Sequence, residues 1–469
     1  MAAIGRKTDT WGSKFGFIMA AVGSSVGLGN FWRFPYTAGE NGGGAFILIY
    51  LLCVLLVGLP LLMAEYSMGR KSGMSAIEGV ESIARAESKS GNWGIVGWVG
   101  SLTAFFILTF YMVISVWLIA FLMQAPTGKF EGMDAAASAI NFNNTIGQGE
   151  NALSQKWTIL GLLFLFLLAN VYVVGQGVKG GLERVATILM PAFFVMLLVV
   201  VGFAVTQGDF AQTAAFLFEP KWGDVGFKTF LSALGQAFFS IGVGVGLMIT
   251  YGAYLDSKTD IPRSSFLVVG ADTMVALIAG FAIFPIVFMA GLDPAGGPGL
   301  FFVSMPVAFG SITGGTIFAT VFFALALFAA FTSSISLMEV GVSWLEERQG
   351  VTRFGAALGV GFVLWMIGAA YVFSLEYLDF VDFMTEGLLL PLGGFLVSVF
   401  AGWIVSRQML TSELGEGNIM NIWRFLIRWF VPPFVAFVLV FGFLDKIQDQ
   451  YQVQLPGVLT ALLGPNAAQ

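Results

Sequence analysis

Apolar runs long enough to cross the roughly 30 Å hydrocarbon core of a bilayer recur along the whole chain. They fall at about residues 14–36, 43–69, 95–124, 157–175, 185–206, 229–255, 265–290, 316–345, 354–374, 380–405 and 423–444. Of the 469 residues, 57% are hydrophobic and only 11% charged, too few charges to cover so much apolar surface in water. A chain in lipid must satisfy its backbone polar groups internally, and runs of this length do so as helices. The expectation is an all-α polytopic membrane protein, residues 1–469 forming a single transmembrane domain with eleven transmembrane helices. The tail after Leu444 holds a further apolar run too short to span.

The remaining composition removes whole classes of chemistry. With no histidine and one cysteine, Cys53, there is no Ser-His catalysis, no His-ligated metal and no internal disulfide. No basic stripe points to nucleic acid, no phosphate-binding G-x-x-x-x-G-K-[ST] run occurs, and no organic cofactor motif is present. An enzyme is not expected; an intramembrane aspartyl protease would lack its G-x-G-D context, because Asp272 follows Val269-Gly270-Ala271. Sixteen Lys/Arg fall on the loops that share a side with the N-terminus. Five fall on the opposite loops: Lys129, Lys156, Lys221, Lys228 and Lys446. That bias predicts a cytoplasmic N-terminus and an external C-terminus, in what is expected to be the cell's inner (plasma) membrane. Between the seventh and eighth runs, Leu300 to Phe309 is too short to cross and is expected to dip toward the entrance as an extracellular hairpin.

Two runs are broken at matching depth. The first carries Gly23-Ser24-Ser25-Val26-Gly27-Leu28-Gly29, the sixth Gly242-Val243-Gly244-Val245-Gly246. Glycine costs up to about 1 kcal/mol per residue in a helix interior. Unwound backbone at membrane depth survives where it lines a cavity or is buried in protein. Matched breaks in two halves point to an inverted repeat, here residues 14–206 (helices 1–5) and 229–405 (helices 6–10), with 423–444 as an eleventh helix and a binding site near the midplane. Polar groups lie at the same depth: Asn30, Arg33, Glu65, Gln236, Ser240, Asp272 and Thr332-Ser333-Ser334, with Asp379 and Asp382 opening the tenth run. Such residues are functional candidates by default. Their oxygens suit a small hard cation, and half-helix N-termini suit an anion such as a carboxylate. Glu65 is expected to brace a broken helix by accepting its free N–H groups.

The segments AAVGSSVGLGNFWRFPYTAGENGGGAF, GLPLLMAEYSMGR, GQAFFSIGVGVGLMITYGAYL and FAAFTSSISLMEV resemble the neurotransmitter:sodium symporters, and in particular their bacterial amino-acid members. The resemblance implies the leucine-transporter-type fold and two sodium ions. Site 1 would be Ser25, Asn30, Ser240 and Asp272 with the substrate carboxylate. Site 2 would be backbone oxygens of Gly23, Val26 and Ala329 with the hydroxyls of Thr332 and Ser333. It also implies a substrate pocket of Ser24, Ser25, Gly27, Leu28, Gly29, Ile107, Tyr111, Phe239, Ser240, Gly242, Val245, Ser333 and Leu337. Tyr111 would hold the carboxylate and Phe239 would form a lid. An outer gate would join Arg33 to Asp382, with Asp379 as the alternative, alongside Tyr111 and Phe239. An inner gate would set Trp11 and Arg6 or Lys7 against Glu346 or Glu347. Gly181 and Pro191 would let part of the fifth helix unwind.

Departures from the family pattern refine the expectation. Asp272 stands where chloride-dependent members carry Asn, so a fixed carboxylate replaces the anion and permits proton counter-transport. Gly27 stands where amine transporters carry Asp, so the substrate must bring its own carboxylate. The implied function is sodium-driven import of bulky aliphatic or aromatic L-amino acids by alternating access. The partners are the amino acid, sodium ions and the lipid bilayer, with a monomer sufficient for transport. Two alternatives remain open: a sodium-coupled carrier of taurine, GABA or a related zwitterion, and a sodium-dependent amino-acid sensor without turnover.

Overall fold

The structure, a computed structural model, describes residues 9–294 and 299–451. Every regular element among the described residues is helical. In chain order the principal ones are α1 (Lys14–Ser25), α2 (Gly29–Glu40), α3 (Gly44–Ser72), α4 (Ala76–Ala86), α5 (Gly91–Thr127), α6 (Ala152–Gly175) and α7 (Val178–Gln207). Then follow α8 (Phe227–Ile241), α9 (Leu247–Ala253), α10 (Ile261–Met289), α11 (Leu300–Gly310), α12 (Gly315–Gln349), α13 (Arg353–Phe373), α14 (Leu375–Ile404) and α15 (Asn418–Gln448). Nine of the described helices, or ten if α1 and α2 count as one bent span, are long and apolar enough to cross a membrane.

The difference from the expected eleven lies in the sixth run. It folds as α8 and α9, of 15 and 7 residues, each too short to cross alone. Between them Gly242, Gly244 and Gly246 take φ of +72°, +83° and +69°, a backbone that L side chains rarely adopt. The first run bends by 47° between α1 and α2, as its glycines predict. The short segment expected to dip inward is the buried helix α11; residues 295–298 before it lie outside the described part, as does most of the C-terminal tail.

α12 runs 35 residues and packs against α5, α7, α1, α13 and α6, so it forms the spine of the molecule. α1 lies between α7, α10 and α12, whereas α9 rests on α3. The apolar stretches of α7 and α15 are mostly unburied within the protein, as for helices facing lipid. The broken elements therefore sit at the centre, with straight helices around them.

Candidate functional site

The two breaks meet at one small cavity of about 40 Å³. Its wall includes Ser24, Ser25, Gly27, Leu28, Gly29, Ile107, Tyr111, Phe239, Gly242, Val245, Ser333 and Leu337, twelve of the thirteen residues expected from the sequence. The thirteenth, Ser240, stands behind the wall, where its Oγ donates to Asp272 Oδ2 at 2.6 Å. Phe238, Leu247 and Leu390 complete the wall and were not foreseen, being apolar residues among many in apolar runs. Phe239, Leu28 and Tyr111 also line an outer vestibule of about 240 Å³, so these three stand between the two spaces.

One cluster of polar side chains lies beside the cavity. Asn30 Nδ2 donates to Asp272 Oδ1 at 2.9 Å, to Ser240 Oγ at 3.1 Å and to the Asp272 carbonyl at 3.1 Å. Asn30 Oδ1 accepts from Gly27 N at 3.0 Å, which secures the bend between α1 and α2. Ser25 Oγ donates to the Ile241 carbonyl at 3.1 Å, joining the two breaks. Gln236 Nε2 donates to the Gly29 carbonyl at 2.9 Å. Asp272 is fully buried, and each of its carboxylate oxygens accepts a hydrogen bond. Burying a carboxylate is costly unless donors or a cation surround it. Asn30 and Ser240 supply neutral partners to the carboxylate, and the hydroxyls of Ser240 and Ser25 leave oxygen lone pairs for a cation.

A second cluster lies between α1 and α12. Ser333 Oγ is 3.4 Å from the Gly23 carbonyl, 3.5 Å from that of Val26 and 3.1 Å from that of Ala329. Thr332 Oγ1 is 3.0 Å from the same Ala329 carbonyl. The hydroxyls of Ser333 and Thr332 thus converge with the carbonyls of Gly23, Val26 and Ala329, while Thr332 Oγ1 also lies 3.1 Å from the Phe328 carbonyl. Five neutral oxygens drawn together in this way suit a small hard cation.

The braces are equally specific. Glu65, fully buried, accepts from Gly244 N at 2.6 Å and so holds the break between α8 and α9, as its placement in the sequence implied. Leu28 N donates to Tyr111 Oη at 3.4 Å, aiming the phenol at the break between α1 and α2.

At the vestibule Arg33 pairs with Glu386, at 2.7 Å, and not with the expected Asp382. The two acids are one turn apart on α14, and Glu386 lies in a π-helical turn, Thr385–Leu389. Asp379 and Asp382 line the vestibule a turn or two nearer the helix start. The guanidinium stands 5.0 Å from the Phe239 ring centroid, and Lys446 binds the other oxygen of Glu386 at 3.1 Å. Spacing alone does not tell which of three acids on one face meets the arginine.

At the opposite end Trp11 Nε1 donates to the Tyr251 carbonyl at 3.2 Å, and its ring packs edge-on against Tyr251 and Tyr254. Arg6 and Lys7 lie outside the described residues. Of their expected partners, Glu346 binds Arg353 at 3.2 Å and Glu347 accepts from Ser75 N at 2.7 Å. Arg353 also pairs with the buried Glu339, which accepts from Tyr254 Oη. Neither Arg353 nor Glu339 was among the expected gate residues, although Glu339 lies inside the eighth apolar run, where an acid is a signal.

Paired broken helices around a buried cavity, flanked by two oxygen clusters, define a secondary carrier of the membrane. The chain belongs to the sodium:neurotransmitter symporter family, whose model matches residues 8–133 and 136–463. It is a sodium-dependent symporter and not an enzyme. An uncharacterized sodium-dependent transporter of Bacillus subtilis (strain 168), YhdH, is 34% identical over 93% of this chain and 97% of its own. A sodium-dependent serotonin transporter of Drosophila melanogaster is 25% identical over 95% of this chain and 78% of its own. Among solved structures, that of MhsT in complex with L-phenylalanine superposes with a TM-score of 0.84 at 34% identity. It covers 93% of this chain and all of the other.

Proposed function

We propose that the protein imports hydrophobic L-amino acids, driven by two sodium ions, with spans 1–5 and 6–10 acting as inverted halves. The convergence of both helix breaks on one apolar-walled cavity, with an oxygen cluster on either side, carries this reading. The solved relative bound to L-phenylalanine supports the substrate class. Asn30, Ser25, Ser240 and Asp272 would hold the first ion together with the substrate carboxylate. Gly23, Val26, Ala329, Thr332 and Ser333 would hold the second. Phe239, which lines both the cavity and the vestibule, would act as the lid between them. Each sodium moving down about 100 mV contributes roughly 2.3 kcal/mol, so two would support more than a thousandfold accumulation.

Asp272 supplies a fixed carboxylate, charged while the first ion is bound, so uptake should proceed without chloride. Its protonation after sodium leaves would return a proton outward. The Lys/Arg bias supports a cytoplasmic N-terminus in the plasma membrane.

The experiment is uptake into proteoliposomes of radiolabelled phenylalanine, leucine, tryptophan, taurine and GABA, with an inward sodium gradient and with potassium in its place. Concentrative uptake of the hydrophobic amino acids in sodium alone supports the proposal. Uptake of taurine or GABA alone would reject the substrate class. Sodium-dependent binding without accumulation would mark a sensor.

A further inference from the structure

The segment before α1 is fastened to the start of α7. Asp9 Oδ2 accepts from Val178 N at 3.5 Å and lies 3.8 Å from Arg353. Gly12 N donates to Glu183 Oε2 at 2.5 Å, and Ser13 Oγ donates to Glu183 Oε1 at 2.9 Å. Ser13 is also the N-cap of α1, its Oγ accepting from Gly16 N at 2.9 Å. One carboxylate therefore fixes both the N-terminal arm and the first turn of α1. Its seat requires glycine at position 16, where a Cβ would stand 1.9 Å from Glu183 Oε1.

Glu183 stands between two irregularities of α7. It follows a π-helical turn, Val178–Leu182, whose wider ring bonds less regularly than an α-helix. Eight residues later Pro191 has no N–H to offer the Thr187 carbonyl. Within that stretch Met190 abuts the α1 break: a Cβ at Gly23 would lie 3.0 Å from Met190 Sδ. Gly23 gives its carbonyl to the cluster around Ser333. The stretch from Glu183 to Met190 thus covers that cluster at one end and grips the N-terminal arm at the other.

We infer that Glu183 is a positioning residue that makes unwinding of α7 and loosening of α1 a single event. It touches neither ion nor substrate. Its charge-assisted hydrogen bonds to Gly12 and Ser13 keep the cluster covered until both helices yield together. The inference rests on reading the Gly23–Ser333 cluster as a sodium site.

The test follows water reaching the cluster, in the purified full chain in detergent. A cysteine introduced by Met190→Cys on a Cys53→Ala background is labelled with a hydrophilic maleimide, in potassium and in sodium. Adding Glu183→Gln should raise the labelling rate in potassium about fivefold, the effect expected from weakening a charge-assisted hydrogen bond. Ser13→Ala should raise it in the same direction, and the two together no more than Glu183→Gln alone. Saturating sodium should return both variants toward the parental rate, which a misfolded protein would not do. Unchanged labelling in both variants, or additive effects, would overturn the role of Glu183. A parent that labels equally in sodium and potassium would instead reject the sodium-site reading, while the potassium rates still judge the latch.

Discussion

The two oxygen clusters beside the cavity are built on opposite plans. Around Asp272 the groups are side chains from α2, α8 and α10, one of them a carboxylate, bonded to one another at 2.6–3.1 Å. Around Ser333 they are mainly backbone carbonyls of α1 and α12 with two hydroxyls and no formal charge. The first cluster is held by its own hydrogen bonds whether or not an ion is bound. The second joins its two helices through little more than one serine proton at 3.4–3.5 Å. An ion in the first would chiefly help hold substrate. An ion in the second would decide how close α1 stays to α12.

The largest effect that separates them is expected at Asp272. Asp272→Ala removes the charge and strands the buried Ser240 hydroxyl, and should lower sodium-driven uptake about 100-fold. Asp272→Asn should lower it about tenfold, with partial recovery when chloride is added, since an anion can replace the lost charge. Full uptake by Asp272→Asn in chloride-free medium would erase the contrast between charged and neutral clusters. Next in size, Ser333→Ala should raise the half-saturating sodium concentration about fivefold while leaving maximal uptake near normal, because one hydroxyl among five oxygens is lost. A fall in maximal uptake without a change in sodium dependence would show the second cluster to be structural.

Val245→Phe adds bulk to the cavity wall and should shift preference from phenylalanine toward leucine by about tenfold or less, as read by competition for uptake. The smallest effect concerns the vestibule. Glu386→Gln should weaken apparent substrate affinity about threefold, with Asp382→Asn weaker still, since partly exposed ion pairs contribute modestly. A larger effect at Asp382 than at Glu386 would return the gate to the pairing expected from sequence.

Much of the centre was legible because it violates ordinary rules for helices in lipid. Glycines in mid-span, acids at membrane depth and adjacent hydroxyls each stand out against an apolar background. Glu65 at the break between α8 and α9, and Asn30 beside Asp272, lie where that reasoning placed them. The rest depended on distances that no spacing encodes. Asp379, Asp382 and Glu386 share one helix, and only the packing of α14 on α15 brings Glu386 between Arg33 and Lys446. Glu183 and Arg353 carried no signal in the sequence, because Gly12, Ser13 and Asp9, which they meet, lie 170 or more residues earlier in the chain. Leu390 carries no signal of its own, although it closes the cavity. The break of the sixth run was legible in its glycines, and the count of eleven differs only because each half, α8 and α9, is too short to count as a span by itself.

The shared carboxylate of Glu386 bears on how fast the outer side can open. Withdrawing Arg33 from a single partner would leave a bare anion among apolar side chains, a costly intermediate on the way out. Lys446 remains on the other oxygen, so the anion keeps a counter-charge while the arginine moves into the vestibule. The lysine thus lowers the climb to the open form more than it deepens the closed one. Its removal by Lys446→Gln should slow substrate exchange at the outer face, measured by stopped-flow release, more than it alters affinity at equilibrium.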